Sequence, residues 1–362
     1  MNLLFVGLGL LAAVVAVLYT KDKDSRMATL QQQFDEFHTR IKLDQDDERA
    51  KLRDKRDTLI RALANNLDDD VPAFEKFDQG SYAMHTGVLP PDKNYDIDVG
   101  IVFDCTRDKY ADPVELKKKV CKALNTHGRS VVIRRPCVTV NYMRGNEVDY
   151  HVDLAIYVKR DDGLLDLAKG KLNSSTEKRV WEPSDPRKLT DIICTAFSDA
   201  DDLAQYRRCI RYFKRWRNVQ FANGGAPLSI ALTVAAKNLF ATRFSTSSRP
   251  VDLLAMIDWV DALLGQFQQL YTDEGWHRRL VVTLPVTPYC DLMEWMSKGQ
   301  METFETKLKS LRQALVDAEA EELPEEACKK LRKQFGDDFP VPEKAATAKA
   351  VSAAVISTGH SA

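Results

Sequence analysis

Residues 80–99 read GSYAMHTGVLPPDKNYDIDV, and this stretch decides the fold. It begins with Gly80 and Ser81 and ends in an apolar segment that predicts a β-strand. Residues two apart in a strand point to the same face, so Asp96 and Asp98 place two carboxylates side by side. Adjacent anions repel each other unless a cation neutralises them, and Mg²⁺ binds carboxylates together with substrate phosphates. The Gly-Ser pair offers backbone that approaches a phosphate closely, together with a hydroxyl donor.

A third carboxylate is expected on a neighbouring strand. Residues 147–158 are rich in β-branched residues and predict such a strand. Asp149, His151 and Asp153 share one face of it by parity. We choose Asp153 because an apolar Leu-Ala-Ile segment follows it as a core strand, and Asp149 is the alternative.

Around these strands the chain divides into five parts of different composition. In chain order we predict an apolar segment at 1–20, a spine helix at 28–70, a catalytic core at 71–185, a helical lobe at 186–342 and a disordered tail at 343–362. The spine has the periodicity of one or two amphipathic helices, with a break near residues 44–47. The core pattern predicts a mixed sheet with helices. The chain is therefore predicted to be bilobal and of the α+β class.

The individual elements follow from apolar periodicity and from the residues that interrupt it. Strands are predicted at 75–77, 97–103, 130–140 and 147–158. Helices are predicted at 113–126, 202–221, 227–240, 250–271 and 290–319.

Residues 1–20 carry no charge, and about 20 helical residues span the hydrocarbon core of a bilayer. Three interpretations stay open. The segment is a single-pass inner-membrane anchor with the catalytic body in the cytoplasm, which the cations Lys21, Lys23 and Arg26 favour. Alternatively, translation starts at Met27 and the protein is soluble. The third interpretation is a secretory signal, although no positively charged region precedes the apolar run.

The charge balance restricts the partners. Lys and Arg total 52 against 53 Asp and Glu, a formal net charge of -1. A protein coated in nucleic acid usually has a basic excess, so we expect no stable DNA or RNA binding. The seven cysteines include no C-x-x-C pair, which excludes a zinc ribbon and a disulfide scaffold.

A basic cluster lies further along the chain. Residues 206–217 read YRRCIRYFKRWR, with six basic side chains and no acid. On a helix, Arg207, Arg211 and Lys214 fall on one stripe. Two interpretations remain: Lys214 reaches a triphosphate held between the lobes, or the cluster is a solvated basic face with its aromatic side in the core.

The order G-S, a spacer of 14 residues, D-h-D and a later h-D-h strand resembles the polymerase-β-like nucleotidyltransferases. The fuller wording, GSYAMHT with NYDIDVGIVFD and YHVDLAIY, resembles more narrowly the cGAS/DncV-like nucleotidyltransferases (CD-NTases) of bacteria. Members of that family serve CBASS anti-phage defence. The resemblance covers roughly residues 30–320 and includes the segment APLSIALTV. It implies a polymerase-β-like core with a C-terminal helical lobe.

The resemblance also implies residue roles. Asp96 and Asp98 would hold two Mg²⁺ ions, for which Mn²⁺ is a candidate substitute. Asp153 would hold the metal ion that activates the acceptor hydroxyl. The nucleotide-binding residues would be Gly80, Ser81, Thr86, Lys214 and Ser229.

The implied activity joins nucleoside triphosphates into a cyclic di- or trinucleotide messenger and releases pyrophosphate. ATP is the expected substrate, GTP is a second candidate, and the product would bind a separate effector protein. Three other classes stay open: a template-independent RNA nucleotidyltransferase, a small-molecule or protein nucleotidyltransferase, and a non-catalytic nucleic-acid sensor.

Overall fold

A mixed sheet of seven strands forms the first half of the structure. The computed structural model describes residues 30–43, 46–89, 95–126, 128–144 and 147–343. The strands of this sheet are β1 (Phe74–Asp78), β2 (Tyr95–Phe103), β3 (Arg129–Ile133), β4 (Val138–Arg144), β5 (Glu147–Lys159), β6 (Leu165–Lys169) and β7 (Val180–Ser184). Their order is β1-β2-β5-β4-β3, and β6 and β7 continue from β5.

The helices and a second, two-stranded sheet complete the fold. The helices are α1 (30–41), α2 (Asp46–Asn66), α3 (Gly80–Ala83), α4 (Pro113–Leu124), α5 (Pro186–Cys194), α6 (Ala200–Gln220), α7 (Ser229–Leu239), α8 (Asp252–Gly265), α9 (Lys298–Ala320) and α10 (Pro324–Phe335). Strands β8 (Gln268–Thr272) and β9 (Gly275–Arg279) form the hairpin. The predicted α+β class and the helical C-terminal lobe are confirmed.

β2 and β5 are the central pair of the large sheet and run parallel. In β2 the side chains of Ile97, Val99 and Ile101 are buried. They pack with α4 and the C-terminal half of α2 in one apolar core. Because side chains alternate along a strand, Asp98 belongs to the opposite face. β5 is long enough to pair with β2 along one edge and with β4 and then β6 along the other.

A second core fills the helical lobe, with α6 at its centre. Tyr212 and Trp216 of α6 are completely buried. Phe34 and Phe37 of α1 pack against Tyr212, with ring centroids 5.2 and 5.4 Å away. α1 therefore belongs to the helical lobe, whereas Leu59 of α2 belongs to the core of the sheet. The predicted spine thus consists of two helices, α1 and α2. The first packs in the core of the helical lobe and the second in the core of the sheet.

Some predicted elements were wrong in extent. The strand predicted at 130–140 is the hairpin of β3 and β4, closed by the Arg134 amide, which donates to the Cys137 carbonyl at 3.0 Å. The helix predicted at 250–271 ends at Gly265, and β8 follows. The helix predicted from 290 begins only at Lys298, because Ser297 caps it.

No helix in the described ranges is both long and apolar enough to cross a bilayer. The apolar segment 1–20, the start at Met27 and nearly all of the predicted tail lie outside the described residues. The anchor therefore stays a prediction.

Candidate active site

The sheet register brings two predicted site residues together. Asp98 of β2 and Asp153 of β5 lie directly opposite each other in the parallel pair. On the other side of β5, Thr139 of β4 lies opposite Asp153. Directly opposite residues point to the same face. Asp98, Asp153 and Thr139 thus form one row across three strands, on the face away from the sheet's main core.

Asp96 occupies the next position of equal parity in β2, opposite His151. Its side chain lies outside the described part of the chain. Among the side chains that are described, no group of three His, Cys, Asp or Glu residues is placed to hold a metal ion. The described carboxylates of the predicted centre are therefore those of Asp98 and Asp153. The alternative third acid, Asp149, also has a side chain outside this set.

The Gly-Ser turn lies against Asp98. Gly80 has φ +69, a left-handed conformation that glycine adopts without strain. A Cβ at this residue would stand 1.9 Å from Asp98 Oδ2. The preceding Gln79 amide donates to the Asp98 carbonyl at 3.3 Å. The Gly-Ser turn is therefore a direct neighbour of the β2 carboxylate through Gly80.

Two buried groups on this face have raised pKa values. Burial raises the pKa of the Tyr157 hydroxyl well above its usual range, and the Asp98 carboxylate raises it further. Burial and the charge of Asp153 raise the pKa of the Cys137 thiol to about 12. Both groups stay protonated at neutral pH. The Tyr157 hydroxyl donates to Gln79 Oε1 at 3.0 Å.

The basic cluster of α6 binds the segment that follows the Gly-Ser turn. Arg211 donates from Nε to the Gly87 carbonyl at 3.1 Å and from Nη2 to the His85 carbonyl at 2.6 Å. Arg215 Nη1 donates to the Leu89 carbonyl at 2.9 Å. Both arginines are buried. The interpretation of this cluster as a solvated basic face is wrong for Arg211 and Arg215, which satisfy backbone carbonyls inside the protein, whereas the aromatic side of the cluster does lie in the core.

Lys214 of the same helix contacts Thr86 in the segment that Arg211 and Arg215 bind. Lys214 Nζ donates to Thr86 Oγ1 at 3.0 Å and to its carbonyl at 3.3 Å. Burial and, to a smaller extent, the charge of Arg211 lower the pKa of Lys214 to about 7, while the Asp98 carboxylate acts in the opposite direction. The predicted ligand Lys214 is therefore within electrostatic reach of the β2 carboxylate. It lies under the loop rather than in open solvent, with 6% of its surface exposed.

Ser229 belongs to the entrance of α7. It is the first residue of α7 and is half-buried, and its carbonyl accepts from the Thr233 hydroxyl at 3.0 Å. Two residues earlier, the Pro227 carbonyl accepts from Arg217 Nε at 2.8 Å. α6 therefore contacts the α7 entrance as well as the loop after the turn. The nucleotide-binding roles of Ser229, Lys214 and Thr86 stay predictions.

Sequence reasoning missed four residues of this face: Gln79, Cys137, Thr139 and Tyr157. Their contacts depend on which residues lie opposite one another across the sheet. A correctly placed hairpin turn before Cys137 would have aligned Thr139 with Asp153. Gln79 and Tyr157 meet only through the packing of β1, β2 and β5.

Comparisons with known proteins agree with this geometry. Residues 72–157 match the family described as "Cyclic GMP-AMP synthase DncV-like, nucleotidyltransferase domain". A cyclic GMP-AMP synthase of Escherichia albertii is 30% identical over 181 residues, which cover 47% of this chain and 38% of that relative. The matched part is thus well under two thirds of the relative's length.

Solved structures with the same fold cover nearly the whole chain. CdnG of Bradyrhizobium diazoefficiens, a CD-NTase in complex with GTP, has a TM-score of 0.64 at 18% identity and covers 86% of this chain and 96% of its own. A mutant of the di-nucleotide cyclase DncV of Vibrio cholerae has a TM-score of 0.57 at 17% identity, covering 94% and 92%. Residues 72–157 of the sheet therefore match a DncV-like nucleotidyltransferase domain, and the chain as a whole has the fold of the solved CD-NTases CdnG and DncV.

Proposed function

We propose that this protein is a Mg²⁺-dependent nucleotidyltransferase that joins nucleoside triphosphates into a cyclic di- or trinucleotide and releases pyrophosphate. The observation that carries the proposal is the register of Asp98 opposite Asp153, with the backbone of Gly80 against the Asp98 carboxylate. Two carboxylates on adjacent strands, beside a turn without side-chain bulk, suit a cation-bound triphosphate. The relatives named for cyclic GMP-AMP synthesis point to the same reaction.

The residues present fit divalent cations. Asp98 and Asp153 supply hard oxygen donors, and the absence of a Cβ at residue 80 leaves room for the Asp98 carboxylate against the turn. Asp96 would complete the set from its position in β2. Two bound Mg²⁺ ions would stabilise the attacking and leaving oxygens of an in-line displacement. Mn²⁺, with similar ligand preferences, is the expected substitute.

The chain's own residues would mainly position the reactants, since phosphoryl chemistry asks for alignment and charge neutralisation. Gly80 and Ser81 would hold the triphosphate close to β2. Lys214 would add positive charge from beneath Thr86, with which it already shares a hydrogen bond. Asp153 would lie on the acceptor side, where a ribose hydroxyl attacks an α-phosphate. Cyclisation requires the linear intermediate to turn around and react a second time.

The substrates and the biological role belong to the same proposal. ATP is the proposed substrate and GTP the second, because solved relatives contain GTP or 3′-deoxy ATP. The product would bind a separate effector protein and signal in anti-phage defence.

The deciding experiment incubates the purified protein with labelled NTPs and Mg²⁺ and determines the mass of the product. A small product that resists phosphatase is expected. A ladder of lengths would indicate template-independent RNA synthesis instead, and no turnover would indicate a sensor. Asp98→Asn, like Asp96→Ala, should abolish synthesis with an unchanged melting temperature. Asp104→Asn is the matched control, because Asp104 follows the same strand but pairs with Lys159 at the surface.

A further inference from the structure

Thr139 contacts Asp153 from the strand on the far side of β5. The two residues lie opposite each other in the antiparallel pair β4–β5. The Thr139 hydroxyl donates to Asp153 Oδ1 at 2.5 Å, and the threonine itself is completely buried. Its neighbours in β4, Val138 and Val140, are equally buried and apolar. A buried hydroxyl is costly without a partner, and here the partner is the carboxylate.

The hydrogen bonds in this row have a fixed direction. An ionised carboxylate only accepts, so the single proton of the Thr139 hydroxyl is committed to Asp153. Cys137 Sγ lies 3.6 Å from Thr139 Oγ1. Since the hydroxyl proton is already used, a hydrogen bond between the two would take its proton from the thiol. The Cys137 thiol and the Thr139 hydroxyl both interact with the Asp153 carboxylate.

The hydrogen bond from Thr139 restricts the rotation of the Asp153 carboxylate about its terminal torsion. The terminal torsion of an aspartate is broad, so its carboxylate plane is not set by rotamer preference alone. A hydrogen bond that holds Oδ1 also fixes Oδ2, because the two oxygens belong to one rigid group. Partners of this kind orient metal ligands, and their removal typically costs about 10–100-fold in metal affinity or activity.

We propose that Thr139 is a positioning residue that holds the Asp153 carboxylate in the orientation required for cation binding. The inference rests on the proposed function for its meaning in the reaction. Thr139 would touch neither the nucleotide nor the metal ion, and it would act only through Asp153. The contact follows from the β4–β5 register and from the hydrogen bond itself.

The test compares Thr139→Val with Thr139→Ser. Valine has nearly the same shape and suits a strand, but it has no hydroxyl, whereas serine keeps the hydroxyl. Thr190→Val is the matched control, since the half-buried Thr190 donates only to the Pro186 carbonyl of its own helix. Binding of Mn²⁺ alone is followed through the electron paramagnetic resonance signal of the free ion, with Asp153→Asn as the reference for a damaged site.

Thr139→Val should weaken Mn²⁺ binding about 10-fold or more, and Thr139→Ser should restore most of the affinity. In the synthase assay the valine variant should lower kcat far more than it raises the KM for ATP. Wild-type Mn²⁺ affinity in a folded Thr139→Val variant would overturn the inference, as would a serine variant as weak as the valine variant. If the valine variant does not fold, Thr139→Ala removes the same hydroxyl and decides the question.

The two proposals fail separately. A wild-type protein that forms no nucleotide product refutes the proposed function, while the Mn²⁺ titration still reports on Thr139. A protein that forms the product with unchanged Mn²⁺ affinity and kcat in Thr139→Val refutes only the positioning role.

Discussion

Gly80 lies so close to Asp98 that any side chain at residue 80 would occupy the position of the carboxylate. A Cβ there would stand 1.9 Å from Oδ2 and 2.6 Å from Cγ of Asp98. The backbone angle φ +69 independently disfavours any other residue. Two separate constraints, one of conformation and one of space, therefore require glycine beside the carboxylate.

The two constraints can be separated by mutation. Gly80→Ala should displace the Asp98 carboxylate and abolish nucleotide synthesis. Gly163→Ala is the matched control, because Gly163 has φ +80 with nothing within 4 Å of an added Cβ. Both variants should lose about 1–2 kcal/mol of unfolding free energy through the left-handed backbone, measured in urea, and Gly80→Ala should lose more because its Cβ would overlap Asp98. Synthesis should survive only in the Gly163 variant, and equal activity of the two would contradict the spatial argument.

Lys214→Met removes the ammonium group but keeps most of the side-chain stem. We expect nucleotide affinity to fall about tenfold or more, because a charge-assisted hydrogen bond to phosphate is lost. The melting temperature should fall as well, because the Thr86 carbonyl and hydroxyl lose their donor, but by less than the loss of affinity implies, since the charged form of Lys214 is costly to bury. Titration with a non-hydrolysable ATP analogue measures the affinity, and the exposed Lys237→Met is the control. A large loss of stability with unchanged affinity would indicate a packing role.

His38 should make stability depend on acidity. Burial and the neighbouring Arg211 lower the pKa of His38 to about 3. The unfolded chain takes up this proton below about pH 6.5, whereas the folded chain does not. The stabilisation is therefore complete above pH 6.5 and is lost as the pH falls towards 3. Urea midpoints of the wild type and His38→Gln should converge on acidification, and a pH-independent difference between them would refute the prediction.

Lys117 is a buried cation that binds backbone only. Its Nζ donates to the carbonyls of Arg134, Arg135 and Gly170 at 2.6, 3.0 and 2.9 Å. Lys117→Met would leave these carbonyls without their donor, and we expect a loss of about 2–4 kcal/mol in unfolding free energy. Lys118→Met is the control. Lys118 is exposed and pairs with Glu115, so its replacement should cost little unfolding free energy. Equal urea midpoints for the two variants would contradict the assignment.

Local sequence patterns predicted the two carboxylates of the row because both lie in strongly apolar strands. Asp98 and Asp153 were recognised from parity and from the core residues that follow them. Thr139 was not, because the predicted strand 130–140 concealed the turn that sets its register. A shift of one residue would have turned its side chain to the other face. Register depends on pairing between distant segments, and a local pattern does not contain it.

The helix before α9 was predicted wrongly for a similar reason. Residues 290–297 have a helical apolar pattern, but Asp291 Oδ1 accepts from the backbone amides of Val282 and Met293 at 3.0 and 2.9 Å. These bonds tie the segment to an extended neighbour and replace the helical ones. The interpretation of the basic cluster failed likewise, because its acceptors are backbone carbonyls more than a hundred residues away.

The attachment of the loop to α6 has a mechanical consequence. Within the described residues, five hydrogen bonds join Arg211, Lys214 and Arg215 to positions 85–89. A tilt of the helical lobe would therefore also move the Gly-Ser turn relative to Asp98 of β2. A ligand that bound the outer surface of the helical lobe and tilted it would change the distance between Gly80 and Asp98 without contacting either residue.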